Sequence, residues 1–443
     1  MLKNFSAAIK NLSPNLRKVI NNIGWLLAER VLRMVVGFFV LAWMARYLGA
    51  DNFGLLNYAI AFFSMFSVLA QLGLNQIVVR DLVSEPSSKN EILGTTFFLK
   101  LASGTTAFLL ATGCIFLLRP DDPLGRTLVV ITAAGAIISG LYVTDFWFQA
   151  QVQSKYTVWA RNIAFIIMTL VRVALILTQA SIIAFAWVGL AETTLTAIGL
   201  VIAYQGSGQK IQAWRGSWLR AKSLMKVSWP LIFSNVAIII YLYVDQVMLG
   251  QLTDNKAVGI YAVAVRLSEV WPFAAAAIVT SVAPSIIETK KISETLYYER
   301  IQKICNLLAL IVYVIAIPMT FFSTPLVVLV FGQEYAPAGL VLSIHIWSSL
   351  FVFMGYVKEV WIATEELTGY ALAASFIGAV MNILLNLWLI PIYREMGAAI
   401  ATVISYGLAD YGMCFLYPPA RKFGLIMTKA MGLGGISQIM RKA

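Results

Sequence analysis

Ionisable side chains lie inside the long apolar stretches of this 443-residue sequence. Each stretch has about 20 residues, enough to cross a hydrocarbon layer about 30 Å thick. A charge at that depth costs at least about 2.5–3.5 kcal/mol, so each needs a partner or a water-filled cavity. Because guanidinium groups bind phosphate oxygens through paired hydrogen bonds, four arginines are candidate ligands of a phosphate head group: Arg30, Arg33, Arg172 and Arg266.

Acidic residues in the same stretches are candidates for a different chemistry. A carboxylate that is partly removed from water can carry a proton or a cation across the membrane. The candidates for such ion coupling are Asp145, Glu192, Asp245 and Asp410. Capping of a helix end is the alternative for Asp145 and Asp245, and the sequence does not choose between the two roles.

Structural ion pairing is the alternative role for the candidate arginines. Three pairs of opposite charge lie within reach by helix and hairpin geometry, namely Glu29–Arg33, Arg266–Glu269 and Arg172–Glu192. The first two are four and three residues apart on one helix. The third pair joins the two arms of a hairpin that turns near residues 179–181. At a rise of 1.5 Å per residue, Arg172 and Glu192 lie roughly 13 and 17 Å below that turn.

Composition predicts that membrane-spanning helices carry these residues. Apolar residues make up 60% of the chain and charged residues 12%, against about 45–50% and about 25% in soluble domains. The chain has one histidine and three widely separated cysteines, so we expect no metal site, no disulfide framework and no cofactor. We place twelve spans at residues 23–48, 53–79, 92–118, 127–150, 159–180, 182–204, 228–250, 257–287, 304–323, 338–357, 367–391 and 397–417.

The basic residues predict the orientation of these spans. An even number of spans places both termini on one side. The connections on that side contain 23 of the 33 Lys and Arg residues, and the opposite connections contain four, namely Arg119, Arg126, Lys256 and Arg394. Because cytoplasmic loops collect Lys and Arg, we expect both termini in the cytoplasm. The net charge of +12 therefore reflects membrane topology, and we expect no nucleic acid partner.

The longest internal connection divides the chain into two halves of six helices. We predict an amphipathic N-terminal segment, a first bundle, a linker, a second bundle and a basic tail at residues 1–22, 23–204, 205–227, 228–417 and 418–443. Leu48-Gly49 before Phe53-Gly54 in the first half matches Leu249-Gly250 before Gly259 in the second. Since six is even, the halves have the same orientation, as in the parallel repeats of many transporters.

Further short motifs resemble a known family in their order and spacing. They are Arg46-Tyr47-Leu48-Gly49 with Phe53-Gly54, Gln71-Leu72-Gly73-Leu74, Asp145-Phe146-Trp147-Phe148-Gln149, Trp229-Pro230, and Asp245 through Leu249-Gly250 to Gly259-Ile260-Tyr261. With them the chain resembles a Wzx-type polysaccharide flippase of the multidrug/oligosaccharidyl-lipid/polysaccharide exporter superfamily, from about residue 20 to 417. The resemblance implies an all-α polytopic fold around a central cavity.

The resemblance also implies a function. Such a protein moves undecaprenyl-pyrophosphate-linked oligosaccharide repeat units, as for O-antigen or exopolysaccharide, from the cytoplasmic to the periplasmic leaflet of a bacterial inner membrane. Its partners would be that lipid-linked glycan, membrane lipids, and the polysaccharide polymerase and chain-length machinery. Alternating access, driven by an ion gradient, would be the mechanism.

Three alternatives to this function follow from the same sequence. A cation-coupled multidrug antiporter of the same superfamily would bind cationic drugs with acidic residues. A peptidoglycan-precursor flippase is disfavoured by twelve spans in place of fourteen. A membrane glycan polymerase or ligase needs a sizeable outer loop with catalytic carboxylates, whereas Asp121-Asp122 stands in a short turn. We therefore expect a transporter and not an enzyme.

Overall fold

The computed structural model describes residues 14–432, without the side chains of residues 14–24, 26–28, 234 and 237. Most of the predicted amphipathic segment 1–22 and the last part of the predicted tail lie outside the described residues. The described chain forms helices and turns, with no β-strand. In order, the helices are α1 (Pro14–Gln71), α2 (Asn75–Ser84), α3 (Lys89–Leu118), α4 (Pro123–Ile138), α5 (Val143–Ala150), α6 (Lys155–Leu177), α7 (Ile182–Gly206), α8 (Trp218–Leu252), α9 (Asn255–Ser268), α10 (Pro272–Ile292), α11 (Glu294–Phe331), α12 (Pro337–His345), α13 (Ser348–Thr364), α14 (Thr368–Tyr406), α15 (Met413–Leu416) and α16 (Arg421–Met431).

The length and hydropathy of these helices fit a multi-pass membrane protein. Nine helical segments of the described chain are long and apolar enough to cross a membrane, or ten when the bent pair Trp218–Phe233 and Ile238–Leu252 counts as one span. Gly49 in α1 and Arg394 in α14 have non-helical backbone angles. Each of these breaks separates two predicted spans, so the helices accommodate all twelve. The all-α polytopic fold predicted from the sequence is confirmed.

The described helices form two compact units. Of the described residues, the first unit contains 14–48 and 59–236. The second unit contains 49–58 and 237–432. The short segment 49–58, which follows the break in α1, therefore packs with the helices of the second unit.

The connection after α7 is held by hydrogen bonds to other helices of the first unit. Arg215 N donates to the carbonyl oxygen of Asn90 (3.1 Å), and Ser217 N donates to Oγ1 of Thr95 (3.0 Å). Trp214 Nε1 donates to the hydroxyl oxygen of Tyr204 (3.2 Å). The connection is thus docked onto α3 and α7.

Two glycines allow close contact of backbone segments in the second unit. A Cβ atom on Gly54 would lie 1.8 Å from the carbonyl oxygen of Asn255, and one on Gly259 would lie 2.1 Å from that of Ala50. Gly54 therefore faces the backbone near Gly259, and Gly259 faces the backbone near Gly54. We call this contact the glycine crossing. These are the later glycines of the motif that is repeated in the two halves. Glu334 adds a hydrogen bond to this region by accepting from Ala50 N (2.8 Å).

An aspartate fixes the beginning of α9 beside the crossing. Asp254 accepts a hydrogen bond from Ala257 N (2.8 Å) and pairs with Arg394, the residue at the break in α14. Burial raises the pKa of Asp254, but the hydrogen bonds from Arg394 and Ala257 and the Arg394 charge outweigh it and hold this pKa below its usual value. Asp254 is therefore a stable anion at the N-terminus of the helix, where a negative charge is favourable.

Replacing Gly54 or Gly259 by alanine is expected to destabilise the protein, because the new methyl group would overlap a backbone oxygen. Overpacking of this kind costs about 1–3 kcal/mol, so the apparent melting temperature of the purified protein should fall by a few degrees. The matched control is Gly113→Ala in α3, where a Cβ meets nothing within 4 Å and alanine favours the helix. Equal melting temperatures for Gly54→Ala and Gly113→Ala would contradict the glycine crossing.

Candidate functional site

One carboxylate in the first unit holds two guanidinium groups. Oε1 of Glu192 on α7 lies 3.3 Å from Nη1 of Arg33 on α1, and Oε2 lies 2.8 Å from Nη2 of Arg172 on α6. The ion pair predicted between Arg172 and Glu192 is therefore present, and Arg33 joins it from 159 residues away. Each oxygen of Glu192 contacts a different arginine, so one carboxylate joins two guanidinium groups.

Arg33 is fixed by further contacts. Its Nε lies 3.4 Å from Oε1 of Glu29, the pair predicted from the spacing of four residues. Its Nη2 donates to the carbonyl oxygen of Arg161 (2.6 Å), and its guanidinium stacks over Phe165 at 4.8 Å from the ring centre. The side chain nevertheless keeps 31% of its surface exposed. Arg33 is thus held in place without being sealed from a ligand.

Asp145 pairs with an arginine on the next helix. Its Oδ2 lies 2.9 Å from Nη2 of Arg161 and accepts from Nε2 of Gln149 (3.0 Å), while Oδ1 accepts from Oγ1 of Thr157 (2.5 Å). All three donors are side chains, so the observed contacts of Asp145 are ion pairing and hydrogen bonding to α5 and α6. The sequence pattern did not single out Arg161, because the residue lies close to the start of the predicted span 159–180.

Positive charge exceeds negative charge around these contacts. The basic side chains of this group, which we call the first-unit charge network, are Arg33, Lys100, Arg161 and Arg172, and the acidic ones are Glu29, Asp145 and Glu192. Lys100 is buried, with its Nζ 5.1 Å from the ring centre of Phe146. Arg30 is exposed on α1. Four basic groups around three acidic groups make this region suited to an anionic ligand.

Asp245 in the second unit is buried among neutral donors. It lies within α8 with 3% of its surface exposed. Its oxygens accept hydrogen bonds from the hydroxyl of Tyr261 (2.6 Å), Oγ1 of Thr402 (2.5 Å) and Nδ2 of Asn386 (2.5 Å). These partners lie on α9 and α14, so capping of a helix end does not explain Asp245. In the described part of the chain no basic side chain lies within ion-pair distance of this carboxylate.

Unpaired polar atoms surround the same carboxylate. Among the described residues, Oδ1 of Asn386, Nδ2 of Asn382 and the hydroxyl of Tyr241 are buried without a hydrogen-bond partner. Asn386 and Asn382 are joined to each other at 3.2 Å. Carboxylate, amide and hydroxyl oxygens are the ligands that small hard cations prefer. The Asp245 cluster, made of Asp245, Tyr261, Asn382, Asn386 and Thr402, could therefore hold a proton or a small cation.

Asp410 has a different environment, because a lysine neutralises it. Nζ of Lys358 lies 3.5 Å from Oδ1 of Asp410 and donates to the carbonyl oxygen of Ala409 (2.8 Å). Lys358 stands one residue beyond the predicted end of the tenth span at residue 357, but α13 extends to Thr364 and buries the side chain. Asp410 lies in a π-helical turn at residues 407–412. With a buried ammonium beside it, Asp410 is the weaker of the two coupling candidates in the second unit.

Arg266 stands apart from the other candidates. It lies on α9 in the second unit, and both Arg266 and Glu269 are exposed. The charged atoms of the predicted pair lie more than 4.0 Å apart in the described structure, although the charge of Arg266 still acts on Glu269. Arg266 lies in the last turn of α9, and Glu269 is the residue that follows the helix. The Arg266 side chain is therefore exposed and forms no ion pair within 4.0 Å in the described structure.

The structure thus brings some of the predicted site residues together and separates others. Arg33, Arg172 and Glu192 meet directly in the first unit, and Asp145 lies in the same charge network. Arg266, Asp245 and Asp410 belong to the second unit. The polar pair Asn382 and Asn386, four residues apart in an apolar span, is the signal that could have pointed to the Asp245 cluster. Within the described residues, no group of three or more His, Cys, Asp or Glu side chains is placed to hold a metal.

Comparison with known proteins relates the chain to a family. A family model described as "Polysaccharide biosynthesis protein" matches residues 19–290. The probable low-salt glycan biosynthesis flippase Agl15 of Haloferax volcanii is 24% identical over 393 residues, which cover 84% of this chain and 77% of that protein. The probable flippase AglR of the same organism is 25% identical over 403 residues, which cover 86% of this chain and 79% of that protein.

Solved structures show the same fold. The lipid II flippase MurJ in an inward closed conformation has a TM-score of 0.74 at 15% identity and covers 92% of this chain and 91% of its own. An inward-facing multidrug resistance MATE family transporter of the MOP superfamily has a TM-score of 0.69 at 13% identity, with coverage of 90% and 96%. At these identities the likeness establishes the architecture of the helices.

Replacing Glu192 by glutamine is expected to destabilise the protein more than replacing Arg172 by glutamine. The first change deprives two guanidinium groups of their shared anion, whereas the second leaves Glu192 paired with Arg33. Removing one partner of a partly buried ion pair should lower the free energy of unfolding by about 1–3 kcal/mol, which is less than the loss expected for a fully buried pair. Thermal melting of the purified variants measures the difference.

The control for this comparison is Lys422→Gln. Lys422 pairs with Glu294 at the surface, with about half of its side chain exposed, and such pairs contribute little. The melting temperature of the Lys422→Gln variant should equal that of the unmodified protein. Equal losses for Glu192→Gln and Arg172→Gln would mean that Glu192 does not hold both arginines.

Proposed function

Because the chain belongs to the polysaccharide biosynthesis protein family, we propose that it is a flippase that moves a lipid-linked oligosaccharide across the membrane. The carrier is undecaprenyl pyrophosphate, and the direction is from the cytoplasmic to the periplasmic leaflet of a bacterial inner membrane, with both termini in the cytoplasm. The transported unit is a repeat unit of a surface polysaccharide such as O-antigen or exopolysaccharide. The names of both Haloferax relatives and of the lipid II flippase support this proposal.

The observation that carries the proposal is the sharing of Glu192 by Arg33 and Arg172. Glu192 divides its charge between the two guanidinium groups, and Arg33 also pairs with Glu29. Arg172, whose ion pair in the described structure is with this shared carboxylate, is therefore the arginine more able to bind a further anion. A pyrophosphate group offers several oxygens to the paired donors of arginine. Lys100 adds positive charge to the same network. An anionic cargo is therefore favoured over the cationic drugs of a multidrug antiporter.

Ion coupling is the second element of the proposal. Asp245 is the buried carboxylate without a basic partner in the described structure, whereas Asp145, Glu192 and Asp410 are all paired with basic groups. A group whose charge is not compensated by the protein gains most from binding a proton or a cation. We assign the coupling ion to the Asp245 cluster. Movement of that ion down its gradient would drive alternating access.

Replacing Arg172 by alanine is expected to abolish glycan export while the protein stays in the membrane, because one of the two pyrophosphate contacts is lost. The measurement is surface polysaccharide in a strain whose own gene is deleted and complemented by the variant. Lys422→Ala, in the exposed pair with Glu294, is the control and should restore export. Normal polysaccharide with Arg172→Ala would remove this arginine from the site.

The same deletion strain separates glycan from drug transport. Loss of surface polysaccharide with unchanged dye resistance is the expected result. Loss of dye resistance with intact polysaccharide would instead favour the antiporter, and accumulation of lipid-linked polymer would favour a polymerase or ligase.

Replacing Asp245 by asparagine is expected to remove the dependence of transport on the ion gradient, because the amide keeps the size of the side chain and loses its charge. Flipping of a labelled lipid-linked glycan in vesicles, with sodium and proton gradients imposed separately, measures this dependence. Asp254→Asn, which changes a carboxylate outside the predicted spans, is the control. Gradient-driven flipping by Asp245→Asn at the unmodified rate would refute the assignment.

A further inference from the structure

A groove of about 500 Å³ runs along the first unit between α3, α4 and α7. Its walls include Phe108 and Phe116 on α3, Val130 and Ala134 on α4, and Trp187 and Leu190 on α7. The volume lies within the ~300–1,000 Å³ of small-molecule sites. Phe116 and Trp187 are each about half exposed. In a membrane protein an apolar groove with such exposed aromatic edges faces lipid.

A single arginine lies in this groove with its charge uncompensated. The guanidinium carbon of Arg126 lies 4.8 Å from the ring centre of Phe116, and its Nε is buried without a partner among the described residues. The other arginine of the same turn, Arg119, is paired with Asp122 at 3.1 Å. No carboxylate in the described structure lies within ion-pair distance of Arg126. The groove therefore combines an apolar trough with one free positive charge.

This combination specifies the chemistry of the occupant. The apolar trough suits a hydrocarbon chain, and a guanidinium binds phosphate oxygens. The walls contain no acidic residue, so a head group that carries an ammonium would find no counter-charge there. One guanidinium matches the single negative charge of a phosphodiester, whereas a diphosphate would leave negative charge unpaired.

We propose that this groove binds an anionic phospholipid of the surrounding bilayer, with one acyl chain between α3, α4 and α7 and the phosphate on Arg126. The turn before α4 is predicted to lie opposite the cytoplasmic termini, so the lipid comes from that leaflet. The site is separate from the first-unit charge network, and it does not depend on which cargo the protein moves.

Native mass spectrometry of the purified full-length protein tests the site. The protein is exchanged into micelles with equal amounts of phosphatidylglycerol and phosphatidylcholine that carry the same acyl chains. The unmodified protein should retain phosphatidylglycerol preferentially, and Arg126→Gln should lower that preference about tenfold, the value of one charge-assisted hydrogen bond. Arg126→Lys keeps the charge and should keep most of the preference.

Two further variants separate the groove from general surface charge. Arg119→Gln removes a neighbouring arginine that is already paired, and it should leave the preference unchanged. Ala134→Phe fills the groove, and it should reduce retention of both lipids. An unchanged preference in Arg126→Gln, or an equal loss in Arg119→Gln, would overturn the proposal. If Arg126→Gln melts far below the unmodified protein, its lipid retention is set aside. The lipid retention of Arg126→Lys and of Ala134→Phe then decides whether the groove binds the lipid.

A competing lipid provides the last arm of the experiment. Undecaprenyl diphosphate is added at the same concentration as phosphatidylglycerol. Continued retention of phosphatidylglycerol supports a bilayer phospholipid as the occupant. Displacement of phosphatidylglycerol from the unmodified protein would overturn that assignment and identify the groove as a site for the carrier lipid.

Discussion

Compensation of charge in a region without water is the constraint on which this structure depends. Hydrocarbon offers no hydrogen bonds, so each charge placed at that depth must be balanced by another part of the protein or by a ligand. Glu192 shows the consequence most directly, because it joins Arg33 and Arg172 from two other helices. One side chain thereby connects α1, α6 and α7 and fixes the position of both arginines.

The first-unit charge network and the Asp245 cluster meet this constraint with different chemistry. The first unit uses opposite charges, as between Glu192 and its arginines or between Asp145 and Arg161. The second unit surrounds Asp245 with neutral donors from Tyr261 and Thr402. An ion pair is satisfied by the protein itself, whereas a carboxylate with only neutral donors still favours a proton or a cation. The first arrangement suits recognition of an anion, and the second suits exchange of an ion.

Local pairs could be predicted from the sequence, because helix and hairpin geometry fixes their distances. Glu29–Arg33 and Arg172–Glu192 are examples. The contact of Arg33 with Glu192 spans 159 residues, and that of Asp245 with Asn386 spans 141, so neither follows from periodicity. Tertiary packing decides such contacts.

Span boundaries limited the remaining predictions. The sequence ended the tenth span at residue 357, yet α13 continues to Thr364 and buries Lys358 against Asp410. The charge of Lys358 suggested an exposed connection, but a carbonyl oxygen, a carboxylate and the ring of Tyr370 satisfy the ammonium inside the unit. A hydropathy pattern cannot distinguish these two outcomes, because the compensating groups come from other helices.

The glycine crossing gives the internal repeat a physical meaning. Gly54 and Gly259 stand at matching places of the two halves, and in the second unit each faces the backbone next to the other. The contact is reciprocal, as in a two-fold interface where the same patch meets itself. A side chain at either position would enter the backbone of the opposite segment, so the approach requires glycine on both sides. The two copies of the repeated motif therefore contact each other in addition to sharing their sequence. This contact explains why the short segment 49–58 packs with the second unit.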